Sequence, residues 1–117
     1  MFAERHFSHI YVAAGYTDLR SGVNSLASIV QDIFNLDPFS DSLFLFCGRR
    51  ADRMKALYWD KSGFVMVYKR IEDGRYRWPR KERTVITITE QQFEWLMTGM
   101  DVHQNPSIRN IENPKLA

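Results

Sequence analysis

The sequence predicts an α+β fold, an antiparallel β-meander sheet of about five to six strands flanked by two helices. Three observations carry this. Leu43-Phe44-Leu45-Phe46-Cys47 is an unbroken apolar run, as expected of a strand covered on both faces and central in its sheet. Leu19, Val23, Leu26, Val30 and Ile33 follow one another at spacings of four, three, four and three, which is one face of an amphipathic helix. The β-prone runs 54–59 and 64–70 are joined by Asp60-Lys61-Ser62-Gly63, a four-residue hairpin loop.

In chain order, residues 1–8 form a lead-in and His9-Ile10-Tyr11-Val12-Ala13 a short strand. Gly15-Tyr16-Thr17-Asp18 turns the chain, with Thr17 or Asp18 as N-cap of a helix over 18–34. Gly22 weakens that helix and marks a close approach to the sheet. Pro38 stops it, because proline cannot continue a helix and restricts the residue before it. After the central strand and the hairpin, Glu72-Asp73-Gly74 turns again. Arg75-Tyr76-Arg77-Trp78 then reads as a strand pairing with 64–70, with the arginines on one face and the aromatics on the other. Thr84-Val85-Ile86-Thr87-Ile88 is a further strand. Thr89-x-x-Gln92 resembles a capping box opening a short helix with Phe93, Leu96 and Met97 on one face and Gly99 at its C′ position.

A chain of 117 residues suits one domain that buries roughly two-thirds of its unfolded surface. The expectation is a single domain over 1–104 and a polar tail over 105–117. Hydrophobic content of 44% with 26% charged residues is globular composition and excludes disorder. A lone Cys47 excludes an internal disulfide and suits a reducing compartment. No apolar run approaches the roughly 20 residues of a membrane span, and MFAERHFSHI has no apolar core of a secretory signal. A cytoplasmic protein without membrane contact is expected.

The charge is unevenly placed. Residues 47–83 hold twelve of the sixteen Lys and Arg residues against five acids, a local +7 inside a chain of net +2. Tyr58, Trp59, Tyr68, Tyr76 and Trp78 are interleaved with these cations. Such a pattern suits phosphate pairing with base stacking, and it equally suits a solvated basic face over an aromatic core. Gly48-Arg49-Arg50-Ala51-Asp52-Arg53 is the sharpest part, since three guanidinium forks on one turn fit phosphate bidentately. The alternative there is a surface loop in which Asp52 pairs Arg49 or Arg53. The candidate nucleic-acid contacts are Arg49, Arg50, Arg53, Lys55, Lys69, Arg70, Arg75, Arg77, Arg80 and Lys81.

Other chemistry is not signalled. His6, His9 and His103 follow no ligand spacing, and neither Cys-x-x-Cys nor His-Glu-x-x-His occurs. Cys47 closes an apolar strand and reads as a small buried hydrophobe. No glycine-rich phosphate loop is present. No catalytic residue, metal or cofactor is expected.

Gly15-Tyr16-Thr17-Asp18-Leu19-Arg20, Leu36-Asp37-Pro38-Phe39, Leu43 to Arg50, Asp52 to Asp60, Gly63-Phe64, Tyr68-Lys69-Arg70, Gly74 to Pro79 and Gln92-Phe93-x-Trp95-Leu96 appear in that order. Over about residues 9–104 this series resembles the small TnpB-type accessory protein from the second open reading frame of a class of bacterial insertion sequences, unrelated to the RNA-guided nuclease sharing that label. Those elements also encode a companion small protein and a DDE-type transposase. The resemblance implies a role in transposition with the transposase, on DNA, and no catalytic set, since strand transfer belongs to the large transposase. The chain departs from the family pattern at Ser21, Asn24 and Ser25, where a lysine, an aspartate and a glycine are expected.

Three functions therefore compete: a non-catalytic accessory protein binding DNA and the transposition machinery, a protein–protein adaptor whose basic face meets an acidic partner, and a small toxin-like RNase.

Overall fold

The computed structural model describes residues 5–81 and 84–102. The expected tail over 105–117 and His103 lie outside the described residues. The strands are β1 (His9–Ala13), β2 (Ser42–Cys47), β3 (Arg53–Trp59), β4 (Phe64–Arg70) and β5 (Val85–Ile88), and the helices are α1 (Val23–Ser28) and α2 (Glu90–Met97). They form an α+β fold around one five-stranded sheet of order β4-β3-β2-β1-β5. β2 is the middle strand and every residue in it is buried, as its unbroken apolar run predicts.

The sheet is mixed and mostly antiparallel. β2, β3 and β4 form the expected meander, and β5 runs antiparallel to β1. The β1–β2 pair is parallel, with Ile10 opposite Leu43 and Val12 opposite Leu45. A parallel pair needs a crossover, and the segment bearing α1 supplies it.

Period-two alternation sorts the strands onto two covered faces. On one side Ala13, Phe44, Phe46 and Leu57 pack with Leu26 and Val30 from the helical segment. On the other, Ile10, Val12, Leu43, Leu45, Met54 and Ala56 pack with Phe93, Leu96 and Met97 of α2 and with Tyr76 and Trp78. Completely burying a side chain such as Leu26 or Leu96 contributes roughly 1.5–3 kcal/mol before packing is counted.

The first helix is shorter than its spacing implies. The Asp18 carboxylate, expected to cap it, instead accepts from the backbone N–H of Arg20 at 3.0 Å and from its guanidinium at 2.7 Å. Helix α1 begins after Gly22, with no side-chain cap, and nothing lies within 4 Å of where a Cβ would sit there, so Gly22 marks no close approach. After Ser28 the helix widens into a π-helical turn, Ile29–Ile33, with the Phe34 N–H donating to the Ile29 carbonyl at 3.1 Å. The extra residue in that turn rotates the apolar stripe, and Ile33 is 49% exposed instead of buried. Asn35 takes a left-handed conformation, φ 56°, and ends the element.

A second correction concerns Arg75-Tyr76-Arg77-Trp78, which is not a strand and does not pair with β4. It is a strap across the α2 side of the sheet. The Tyr76 N–H donates to the Ala51 carbonyl at 2.6 Å, the Trp78 indole N–H to the Ala13 carbonyl at 2.8 Å, and the Gly15 N–H to the Pro79 carbonyl at 2.7 Å. The expected alternation holds, with Tyr76 and Trp78 buried and both arginines exposed, but against the sheet's face instead of its edge.

The remaining local signals behave as expected. Thr89 and Gln92 form a reciprocal capping box, and Gly99 follows α2 at φ +87°. In the β3–β4 loop the Asp60 carboxylate accepts from the Ser62 and Gly63 N–H groups at 3.0 and 2.9 Å.

Candidate nucleic-acid interface

The C-terminal ends of β1 and β2 build a groove with the start of β3. β2 stops at Cys47, and the chain reverses through a turn closed by Ala51 N–H donating to Gly48 O at 3.0 Å and Gly48 N–H to Arg53 O at 3.1 Å. Ala51 is tucked into the core at φ 61°, which throws Arg49 and Arg50 outward. The loop after β1 is held alongside by the Thr17 N–H, which donates to the Cys47 carbonyl at 2.8 Å. Gly48 lies where the two loops meet, and a Cβ there would sit 3.2 Å from Leu19 Cδ1, close enough that the leucine would have to shift.

Between these loops and the α1-side face of β3 and β4 lies a groove of about 970 Å³. Its lining carries Arg20, Arg49, Arg50, Arg53 and Lys55 against Asp18 and Asp52, five cations to two carboxylates. Met66 contributes apolar surface, and Tyr16 and Tyr68 stand at the groove with 43% and 51% of their surface exposed. The Arg49 guanidinium lies 4.7 Å from the Tyr16 ring centroid and also donates to the Tyr16 hydroxyl. Lys55 donates to the Ser21 carbonyl at 3.0 Å, so it ties the 18–22 loop to the sheet as well as charging the groove. Its bond to Arg20 lowers the Asp18 pKa to about 2 and keeps that carboxylate ionised. Asp52 pairs with Arg53, as one sequence reading allows, but at 3.6 Å, and Arg50 has no ion-pair partner among the described residues.

The predicted contacts divide. Arg49, Arg50, Arg53 and Lys55 converge in the groove. Arg70 is directly opposite Arg53 in the β3–β4 ladder, on the same face, and pairs with Glu72 at 3.1 Å. Lys69 is one residue away and therefore points to the opposite face. Arg75, Arg77, Arg80 and Lys81 belong to the strap and its continuation. Arg77 and Arg80 line a separate cavity of about 340 Å³ with Asp101. Lys69 and Arg70 do not meet Arg75 across a strand pair, since no such pair forms.

Sequence reasoning missed Tyr16 and Arg20, and it named Tyr68 among the interleaved aromatics without placing it among the contacts. For Tyr68 the signal was available: it shares strand parity with Arg70. For Tyr16 and Arg20 it was not, because only the β1–β2 pairing brings their loop to the Arg49 turn.

No group of three His, Cys, Asp or Glu side chains able to hold a metal occurs among the described residues. Cys47 is buried, and burial pushes its thiol up to about 12, far from a nucleophile at neutral pH.

The family model of the IS66 Orf2 like protein matches residues 8–107. The chain belongs to that family. Two Sinorhizobium fredii (strain NBRC 101917 / NGR234) proteins are similar to it. Uncharacterized protein y4hO is 37% identical over 92 residues, covering 79% of this chain and 80% of the relative. Uncharacterized protein y4jC is 32% identical over 92 residues, 79% of each chain. No solved structure matches significantly. Membership of the IS66 Orf2 like family supports an accessory role in an insertion sequence. The groove lies wholly inside the matched residues. No helix among the described residues is long and apolar enough to cross a membrane.

Proposed function

We propose that this IS66 Orf2 like protein is a non-catalytic accessory factor of transposition that binds DNA through the groove and cooperates in the cytoplasm with the transposase and the companion small protein of its element. The convergence of five cations and two carboxylates from a loop, a turn and a strand on one concave surface supports this reading. Crowded guanidinium groups gain little stability from one another at a surface, and a phosphate backbone relieves their repulsion with release of counterions.

The test is fluorescence anisotropy with a labelled duplex across a salt series. About five phosphate contacts give a log–log slope near −4 to −5. Replacing Arg49, Arg50 and Arg53 with alanine lowers affinity and flattens the slope by about one unit per lost contact. Equal affinity and slope in the triple variant would remove the groove from DNA binding.

A second reading, a protein adaptor, draws on the opposite end of the sheet. There Phe39, 53% exposed, packs its ring 5.0 Å from Trp59 and 5.3 Å from Phe64. An exposed aromatic cluster suits a protein partner. Absence of DNA binding at low salt puts the adaptor first.

A further inference from the structure

A basic groove alone asks only for phosphates. This one also presents two tyrosines, and that asks for bases. Tyr16 and Tyr68 are among the most exposed large apolar side chains of the described residues, at 43% and 51%, yet both stand in the groove among its cations. They come from unrelated parts of the fold, the loop after β1 and the face of β4. Tyr16 is braced by the Arg49 guanidinium, which lies over its ring and donates to its hydroxyl. Arg20, 91% exposed, is held by Asp18 through a two-pronged contact and so projects in a defined direction. Lys55 and the Ser21 carbonyl keep the loop carrying Arg20 against the sheet.

Duplex DNA offers a groove little to stack on, because its bases are stacked on each other and only its phosphates and groove edges face a protein. An unpaired strand offers flat base faces and flexible phosphates together, and aromatic platforms flanked by cations are how proteins hold it without sequence preference. A concave space of about 970 Å³ has room for bases and sugars of an unpaired strand. We infer that the groove is a binding site for unpaired DNA, with bases stacked on Tyr16 and Tyr68 and phosphates on Arg50, Arg53 and Arg20. This deepens the DNA-binding reading and rests on it.

The test compares the full chain and its variants against four probes at one salt concentration: a short oligothymidine, a duplex of equal length, thymidine monophosphate, and heparin. The expected result is tighter binding of the oligothymidine than of the duplex, with the monophosphate far weaker than either. Tyr16→Leu and Tyr68→Leu keep apolar bulk but remove the stacking face. Each is expected to weaken oligothymidine binding roughly 5- to 150-fold and duplex or heparin binding by much less, because most of what is lost is the stacking face. Tyr68→Phe restores binding, because the ring is retained. Circular dichroism of each variant checks that it folds.

Equal binding of duplex and oligothymidine, or tyrosine variants that bind like the parent, overturns the stacking site. If the arginine variants still lose affinity in that case, the DNA-binding reading stands without it. Monophosphate binding as tight as the oligothymidine makes the site a nucleotide pocket and overturns the strand proposal. Failure of every nucleic acid to bind at low salt overturns both readings.

Discussion

Arg53 and Arg70 are direct partners across the β3–β4 ladder, two like charges opposite each other on one face of the sheet. Cross-strand like charges destabilise a pair, and the flanking acids relieve them only in part, Glu72 at 3.1 Å from Arg70 and Asp52 at 3.6 Å from Arg53. A sheet selected for stability alone has no use for this arrangement. An anion above the pair would relieve its repulsion.

That conflict gives the first prediction. Arg53→Glu converts the repulsive pair into an attractive one, so the melting temperature rises while DNA affinity falls. Thermal denaturation and anisotropy on the same sample check it. A variant that loses both stability and binding would show that Arg53 holds the fold and does not serve the groove.

The second concerns the strap. Trp78 donates from its buried indole to the Ala13 carbonyl at 2.8 Å, tying residues 75–79 to β1. Trp78→Phe keeps most of the ring and deletes the donor, costing about 1–3 kcal/mol in urea denaturation. No measurable loss would mean that the carbonyl is satisfied without it.

Prediction three tests the central strand. Phe44 and Leu45 point to opposite faces, 2% and 0% exposed. Phe44→Asp or Leu45→Asp leaves no folded protein, since each buries an unpaired charge. Leu45→Ala remains foldable but loses about 2–5 kcal/mol. A soluble Leu45→Asp variant with parental melting would remove β2 from the core.

Acid titration supplies the fourth. Asp18 sits below its ordinary 3.8, at about 2, because the Arg20 side chain and backbone N–H bond its carboxylate. A depressed folded pKa means that the stabilisation is present above pH 3.8 and is lost as pH falls toward 2. Carboxyl NMR titration of the parent shows the low value, and Arg20→Ala returns it toward 3.8. An unchanged titration in that variant would assign the shift to something other than Arg20.

The fifth concerns Cys47, whose thiol is buried and raised to about 12. It resists alkylation at pH 8 in the native protein and reacts once urea unfolds it, as followed by mass spectrometry. Native reaction at the unfolded rate would place it at the surface.

The sequence by itself determined what depends on neighbours in the chain. The apolar run of β2, the Asp60-to-Gly63 loop, the Thr89–Gln92 capping box and the alternation of Tyr76 and Trp78 with two arginines are local patterns, each with one inexpensive solution. The clustering of Arg49, Arg50 and Arg53 is equally local, because one turn carries them. Lys69 belonged to this class too, since period two already separates it from Arg70. Only the tertiary structure decided the rest. Alternation does not say whether 75–78 lies at a sheet's edge or across its face; the Ala51 and Ala13 carbonyls, distant in sequence, made that choice. The strand–helix–strand order of 9–47 permits a parallel crossover but does not dictate that the two strands be neighbours, so the β1–β2 pair was settled only in the fold, and with it the loop that brings Tyr16 and Arg20 to the arginine turn. The helix start moved because Asp18 found a better partner in Arg20 than in the helix N-terminus. A site assembled across strands depends on which long-range pairings win, and those are set by the free energy of the whole core, not by any window of residues.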